Sequence, residues 1–168
     1  MPFPLLPAYR TDALTDLTPE ILEKQGISLL MMDFDNTIVP YTTDVPTGEM
    51  VAWIHKMNDS GIKLCVVSNS RNDRVVRFCK QYGLDCITRA KKPFSKGIRQ
   101  CMEKYGIPAN RCALVGDQIY TDTLGANCAG IRAILVRAIG NHNIWLKLRH
   151  VAELPFVLAA RNRRIDHE

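Results

Sequence analysis

No stretch of this 168-residue sequence approaches the roughly 20 uninterrupted apolar residues that a membrane-spanning helix needs. The opening MPFPLLPAYR has neither the basic start nor the apolar core of a signal peptide, so secretion is not expected. Close cysteine pairs are missing as well. Cys65, Cys79, Cys86, Cys101, Cys112 and Cys128 sit singly inside apolar stretches, which excludes zinc-site spacing and argues against a disulfide framework. His55, His142, His150 and His167 have no partners at ligand spacing. Repeats, low-complexity tracts and Gly/Ser-rich linkers are also lacking, so the chain reads as one domain over residues 1–168 with a basic C-terminal segment at 143–168. A reducing, cytoplasmic setting is the expectation.

What is present is an ordinary globular composition, 46% hydrophobic and 23% charged, enough for a sizeable core. The formal net charge is +5, which favours acidic partners such as a phosphorylated substrate, an anionic membrane surface or nucleic acid. Charge alone does not choose among them.

Apolar runs alternate with helical patterns. Thr18-Pro19-Glu20 starts a helix ending before Gly26, and strands are expected at Ile27–Met32, Ile62–Val67, Leu84–Ile87, Cys112–Val115 and Ile131–Val136. Between them lie helices over Glu49–Asn58, from the S-x-x-D start at Ser70 to Tyr82, from Ser95 to Tyr105, and over Thr121–Ala129. This alternation predicts an α/β fold: a three-layer, Rossmann-like parallel sheet whose site lies at the carboxyl ends of the strands.

Four polar clusters fall at such ends. In Asp33-Phe34-Asp35-Asn36-Thr37 two carboxylates two residues apart on one strand end share a side, and such like-charge crowding calls for a cation. Taken alone it is also what an Asp-rich turn looks like. Ser68-Asn69-Ser70 follows the next strand, with Ser70 a candidate helix cap; Arg89-Ala90-Lys91-Lys92-Pro93 reads alone as a solvated basic loop. In Gly116-Asp117-Gln118-Ile119-Tyr120-Thr121-Asp122, Asp122 suits a first helical turn. Taken together, the four supply carboxylates, a hydroxyl and a cation at successive strand ends.

In order and spacing, DFDNT, VVSNS, the lysine of KKP and GDQIYTD resemble the four motifs of the haloacid-dehalogenase-type phosphatases, over at least Ile27 to Val136. The RAKKP and VGDQIYTDTLGAN phrases and the TPE-containing helix are similar to the IIIA-type YqeG-like branch, which includes phosphatidylglycerophosphate phosphatases. The resemblance implies Asp33 as nucleophile and Asp35 as general acid and base. It implies Mg²⁺ held by the Asp33 carboxylate, the Asp35 backbone carbonyl and Asp117, with Asp122 behind them orienting Lys92 or a metal-bound water. Ser68, Asn69 and Lys92 would grip the phosphate, with Lys91 a rival for the last role.

Members of that family select substrate size through cap insertions, and neither Thr37–Glu49 nor Ser68–Lys92 leaves room for one. An open mouth suits a phosphate on something large or anchored, and phosphatidylglycerophosphate, giving phosphatidylglycerol, is the leading expectation. A protein, a nucleic-acid end or another ester is the alternative, as is a receiver-like phosphoaspartate signalling domain. Intact motifs argue against a chain that only binds nucleic acid. The tail mixes Ile144, Trp145, Leu146, Leu148, Phe156, Val157 and Leu158 with Lys147, Arg149, Arg161, Arg163 and Arg164. It suits peripheral contact with an anionic lipid surface at the inner face of a membrane, or a helix packed on the sheet.

Overall fold

A computed structural model describes residues 4–140, 144–160 and 163–165, without the side chains of residues 144–150. Six parallel strands form one sheet: β1 (Tyr9–Thr11), β2 (Leu29–Met32), β3 (Lys63–Val67), β4 (Asp85–Ile87), β5 (Cys112–Gly116) and β6 (Arg132–Val136), in the order β1-β6-β5-β2-β3-β4. Among the described residues six α-helices flank it: α1 (Pro19–Lys24), α2 (Gly48–Asp59), α3 (Asp73–Tyr82), α4 (Lys96–Tyr105), α5 (Leu124–Ala129) and α6 (Ile144–Ala159). The expected three-layer α/β architecture is therefore found.

β2 is apolar throughout because both of its faces are covered. Leu30 and Met32 join a core with residues of α1, α2 and α3, while Leu29 and Met31 join one with α4 and α5. All four side chains are 0% exposed, and each such burial contributes roughly 1.5–3 kcal/mol. After β4 the chain crosses to the other side of β2 to lay down β5, so the strand order reverses between β2 and β5, where α/β sheets open a crevice. Met32 is in register with both Val66 and Val115, so β2, β3 and β5 end at one level.

Three expectations need adjustment. The edge strand β1 has no periodic signal in three residues and is held by pairing Tyr9, Arg10 and Thr11 with Ile134, Leu135 and Val136. Asn72, not Ser70, caps α3: its side chain accepts from Arg74 N at 3.1 Å, while Ser70 Oγ accepts from Asn72 N one turn earlier. The helix expected over Thr121–Ala129 begins instead as a π-helical turn, Ile119–Thr123, that leads into α5.

Residues 33–47 run from β2 to α2 as one loop, and α3 alone separates β3 from β4 over residues 73–82, so no cap domain is present among the described residues. In the C-terminal segment Glu153 is buried and its carboxylate accepts from Ile119 N at 3.0 Å, while Phe156 meets the Tyr120 ring edge-on at 6.4 Å. Arg163 and Ile165 then pair with the backbone of Arg10. This part of the tail packs on the domain, and Val151, Leu154 and Leu158 stay exposed. Arg161 and the side chains of Ile144, Trp145, Leu146, Lys147, Leu148 and Arg149 lie outside the described residues. No described helix is long and apolar enough to cross a membrane.

Candidate active site

Asp33 follows β2, and its N–H donates to Val115 O at 2.9 Å, extending the sheet one residue to place a carboxylate over the crevice. The next turn reverses on Asn36, whose φ of 58° is a left-handed conformation that Asn tolerates better than most residues. Its side-chain oxygen accepts from Tyr41 N at 3.0 Å, and its carbonyl accepts from Ile139 N at 2.9 Å.

Lys92 enters from the far side of β3. Its side chain is 2% exposed, and Nζ donates to Asp33 Oδ1 at 2.8 Å and to Asp122 Oδ1 at 2.7 Å. Burial alone would drive the ammonium towards its neutral form; the charges of Asp122 and Asp33 outweigh it and hold the lysine above its usual range. Asp122 feels the converse. Burial and the nearby Asp33 charge push its carboxyl up to about 6, against the pull of Lys92.

The loop that presents Lys92 is braced from several directions. The Asn69 side-chain amide donates to Lys92 O at 2.9 Å and its oxygen accepts from Lys92 N at 2.7 Å. Ser68 and Ser70 carbonyls accept from Ala90 N and Arg89 N. Arg89 and Lys91 both adopt left-handed φ, 52° and 57°, a conformation of some cost that places strain beside the site. At Gly97, on α4, any Cβ would meet the Ala90 backbone at 2.8 Å. At Gly116 a Cβ would overlap the Asp122 carboxylate, so glycine there is what lets Asp122 come down on β5.

Ligand atoms of Asp33, Asp117 and Asp122 all lie within 4.8 Å of one another. Three carboxylates at this spacing are hard oxygen donors of the kind that suits Mg²⁺. Asp122 already has one oxygen on Lys92 and the other on Gln118 N at 3.1 Å, which suits it to orienting neighbours. Ser68 is buried at the end of β3, with Oγ accepting from Ser70 N at 3.1 Å.

Asp35 stands slightly apart. Burial, with Asp33 and Asp44 nearby, raises its carboxyl above the ordinary range, opposed by Arg74. The structure thus brings Asp33, Lys92, Asp117 and Asp122 into one cluster, sets Asn69 against the Lys92 backbone, and gives Asp35 a partner that sequence reasoning missed. Arg74 lies in the first turn of α3; a cation just past a strand-end cluster was the available signal. Gly116, Gly97 and Glu153 were missed too, because close approach leaves no mark on local pattern.

A family model for haloacid dehalogenase-like hydrolases matches residues 8–130. Among curated proteins, the chain is 33% identical over 120 residues to the probable phosphatase YqeG of Bacillus subtilis, covering 71% of this chain and 70% of that protein. Among solved structures, it is similar to the cobalt-bound deoxy-D-mannose-octulosonate 8-phosphate phosphatase of Haemophilus influenzae, with TM-score 0.55, 13% identity and coverage of 85% and 93% of the two chains. The 3-deoxy-D-manno-octulosonate 8-phosphate phosphatase of Moraxella catarrhalis, in complex with magnesium, phosphate and KDO, gives 0.51, 22%, 87% and 95% in the same order.

Proposed function

The chain belongs to the haloacid dehalogenase-like hydrolases, and on that footing we propose that it is a Mg²⁺-dependent phosphomonoesterase working through an aspartyl phosphate, with phosphatidylglycerophosphate as substrate. The observation that carries the phosphatase reading is the buried Lys92 ammonium bridging Asp33 and Asp122 at the crevice where the strand order reverses. Family membership and two acids on the single strand end of β2 count against the receiver-like alternative.

In this reading Asp33 attacks phosphorus while Asp35 protonates the departing alkoxide; Asp35 then takes a proton from the hydrolytic water. Lys92 and Ser68 hold phosphoryl oxygens, Asn69 fixes Lys92 from behind, and Asp122 keeps the ammonium aimed. Asp33, Asp117 and the Asp35 carbonyl would hold Mg²⁺, which when bound supplies positive charge against the phosphate's own. The donor set and the magnesium in the Moraxella catarrhalis enzyme support that choice of metal.

The lipid reading draws support from the mouth. Without a cap the site is open, and the exposed apolar side chains of Tyr41, Val45, Phe94 and Ile139 all lie on loops that leave strand ends. Arg71, Arg89, Lys91 and Arg137, also exposed, accompany them on the same end of the sheet. Apolar side chains among cations suit an anionic lipid surface. Phosphate release from phosphatidylglycerophosphate in mixed micelles with Mg²⁺, beside a panel of soluble phosphate esters and with Asp33→Asn as blank, tests both parts. Preference for the lipid, lost in the variant, is expected. Equal turnover of soluble esters would reject the lipid and keep the chemistry; release by Asp33→Asn at the parent's rate would reject the chemistry.

A further inference from the structure

Arg74 has a heavily committed side chain outside the Lys92 cluster. Nη1 donates to Asp35 Oδ1 at 2.9 Å and to Tyr41 O at 3.3 Å, Nη2 to Thr43 O at 2.9 Å, and Nε to Asp44 Oδ1 at 2.6 Å. Its guanidinium carbon stands 5.1 Å from the Phe34 ring centroid and 5.8 Å from that of Tyr41. The side chain is 12% exposed. A surface ion pair between flexible side chains contributes little and fixes little. Here one rigid fork is held by two carboxylates, two carbonyls and two aromatic faces, so its position is determined from all sides.

We propose that Arg74 is a positioning residue for phosphoryl transfer, holding the Asp35 carboxyl in its working orientation and fastening residues 41–44 beside it. The inference rests on the reading of Asp35 as the proton-transfer group. Arg74 cannot replace Asp35, because a guanidinium does not give up its proton in a protein. It engages Oδ1, so the proton travels through Oδ2. In the first step an Asp33 oxygen bonds to phosphorus, the bond from phosphorus to the alcohol oxygen breaks with its electron pair, and the Asp35 proton moves to that oxygen. In the second, water oxygen bonds to phosphorus and its proton returns to Asp35. The bond to Asp33 then breaks, and inorganic phosphate leaves.

A misaimed Asp35 harms only those substrates whose leaving group needs the proton. An alkoxide needs it; a nitrophenolate departs without it. The test is kcat/KM, which reports steps up to the first bond cleavage, for glycerol 3-phosphate and for p-nitrophenyl phosphate with Mg²⁺. Arg74→Lys and Arg74→Met are expected to lose about 100-fold on the alkyl ester and less than about 3-fold on the aryl ester. Adding Arg74→Met to Asp35→Asn is expected to cost nothing further on the alkyl ester, since the two act as one unit.

Parallel losses on both esters, unchanged rates, or additive losses in the double variant would overturn the role of Arg74. Partial unfolding depresses both substrates alike, so thermal melts of each variant separate it from the expected split. A parent that releases phosphate from neither ester nor from phosphatidylglycerophosphate in mixed micelles would instead overturn the phosphatase reading, and this inference with it.

Discussion

The Lys92 ammonium lies 2.7 Å from Asp122 Oδ1, and both side chains are 2% exposed. A buried cation is tolerable only with its charge answered, and here Asp122 and Asp33 answer it together. Lys92→Met leaves two carboxylates facing each other without their cation. It is expected to cost roughly 3–5 kcal/mol of stability and to abolish phosphate release, read by denaturant unfolding and by assay. Lys92→Arg is expected not to restore activity, because a planar fork does not fit where one ammonium bridges two oxygens.

Gly116→Ala tests the close approach on β5. Its methyl group would occupy the space of the Asp122 carboxylate, so Asp122 must move and Lys92 loses a partner. A stability loss of roughly 1–3 kcal/mol is expected, with activity falling at least about 100-fold. Gly106→Ala is the comparison: it sits beyond α4 with open space around it and φ of 64°, so it carries the strain of a left-handed backbone and is expected to keep its activity.

Metal removal should be visible without catalysis. Mg²⁺ bound by the folded chain alone raises the melting temperature by mass action, by the equivalent of roughly 2.7 kcal/mol at a hundred times Kd. Asp117→Asn is expected to remove that shift and to leave the melt without metal close to the parent's. A Mg²⁺ shift of full size in Asp117→Asn would take this residue out of the ligand set.

The cysteines contribute a pH dependence of stability on the alkaline side. Burial pushes the thiols of Cys79 and Cys86 up, contact with Cys65 and burial do the same for Cys101, and burial takes Cys112 up to about 11. Below the unfolded thiol value of roughly 8.5, both states are protonated and nothing changes. Above it the unfolded chain ionises while the folded one resists, so stability falls with rising pH until the folded value is passed. The melting temperature is expected to decline from about pH 9 upward, and less steeply in Cys112→Ala. Alkylation of the folded protein near pH 8 should fall first on Cys128, the one exposed cysteine, and spare activity.

Much of the molecule was legible from local pattern. A strand buried on both faces must be an apolar run, and β2, β3, β5 and β6 are such runs apart from an opening Lys63 and Arg132, the first three ending where polar clusters begin. Asp33, Lys92, Asp117 and Asp122 announced themselves because strand ends in a parallel sheet converge on one side. β1 did not, because three residues on an edge carry no period and depend on β6 for pairing.

By itself the sequence determined the alternation of strands and helices, the parallel sheet and the four strand-end clusters, since each is written in residues a few positions apart. Tertiary structure alone decided which groups meet across distance. Asn69 grips the backbone of Lys92, 23 residues on, and Arg74 reaches back 39 residues to Asp35. Gly116 leaves room for Asp122, and Glu153 supports the turn at Ile119 from a helix 34 residues away. Such contacts follow from strand order and register, which bring distant segments within bonding range, and no local periodicity encodes them.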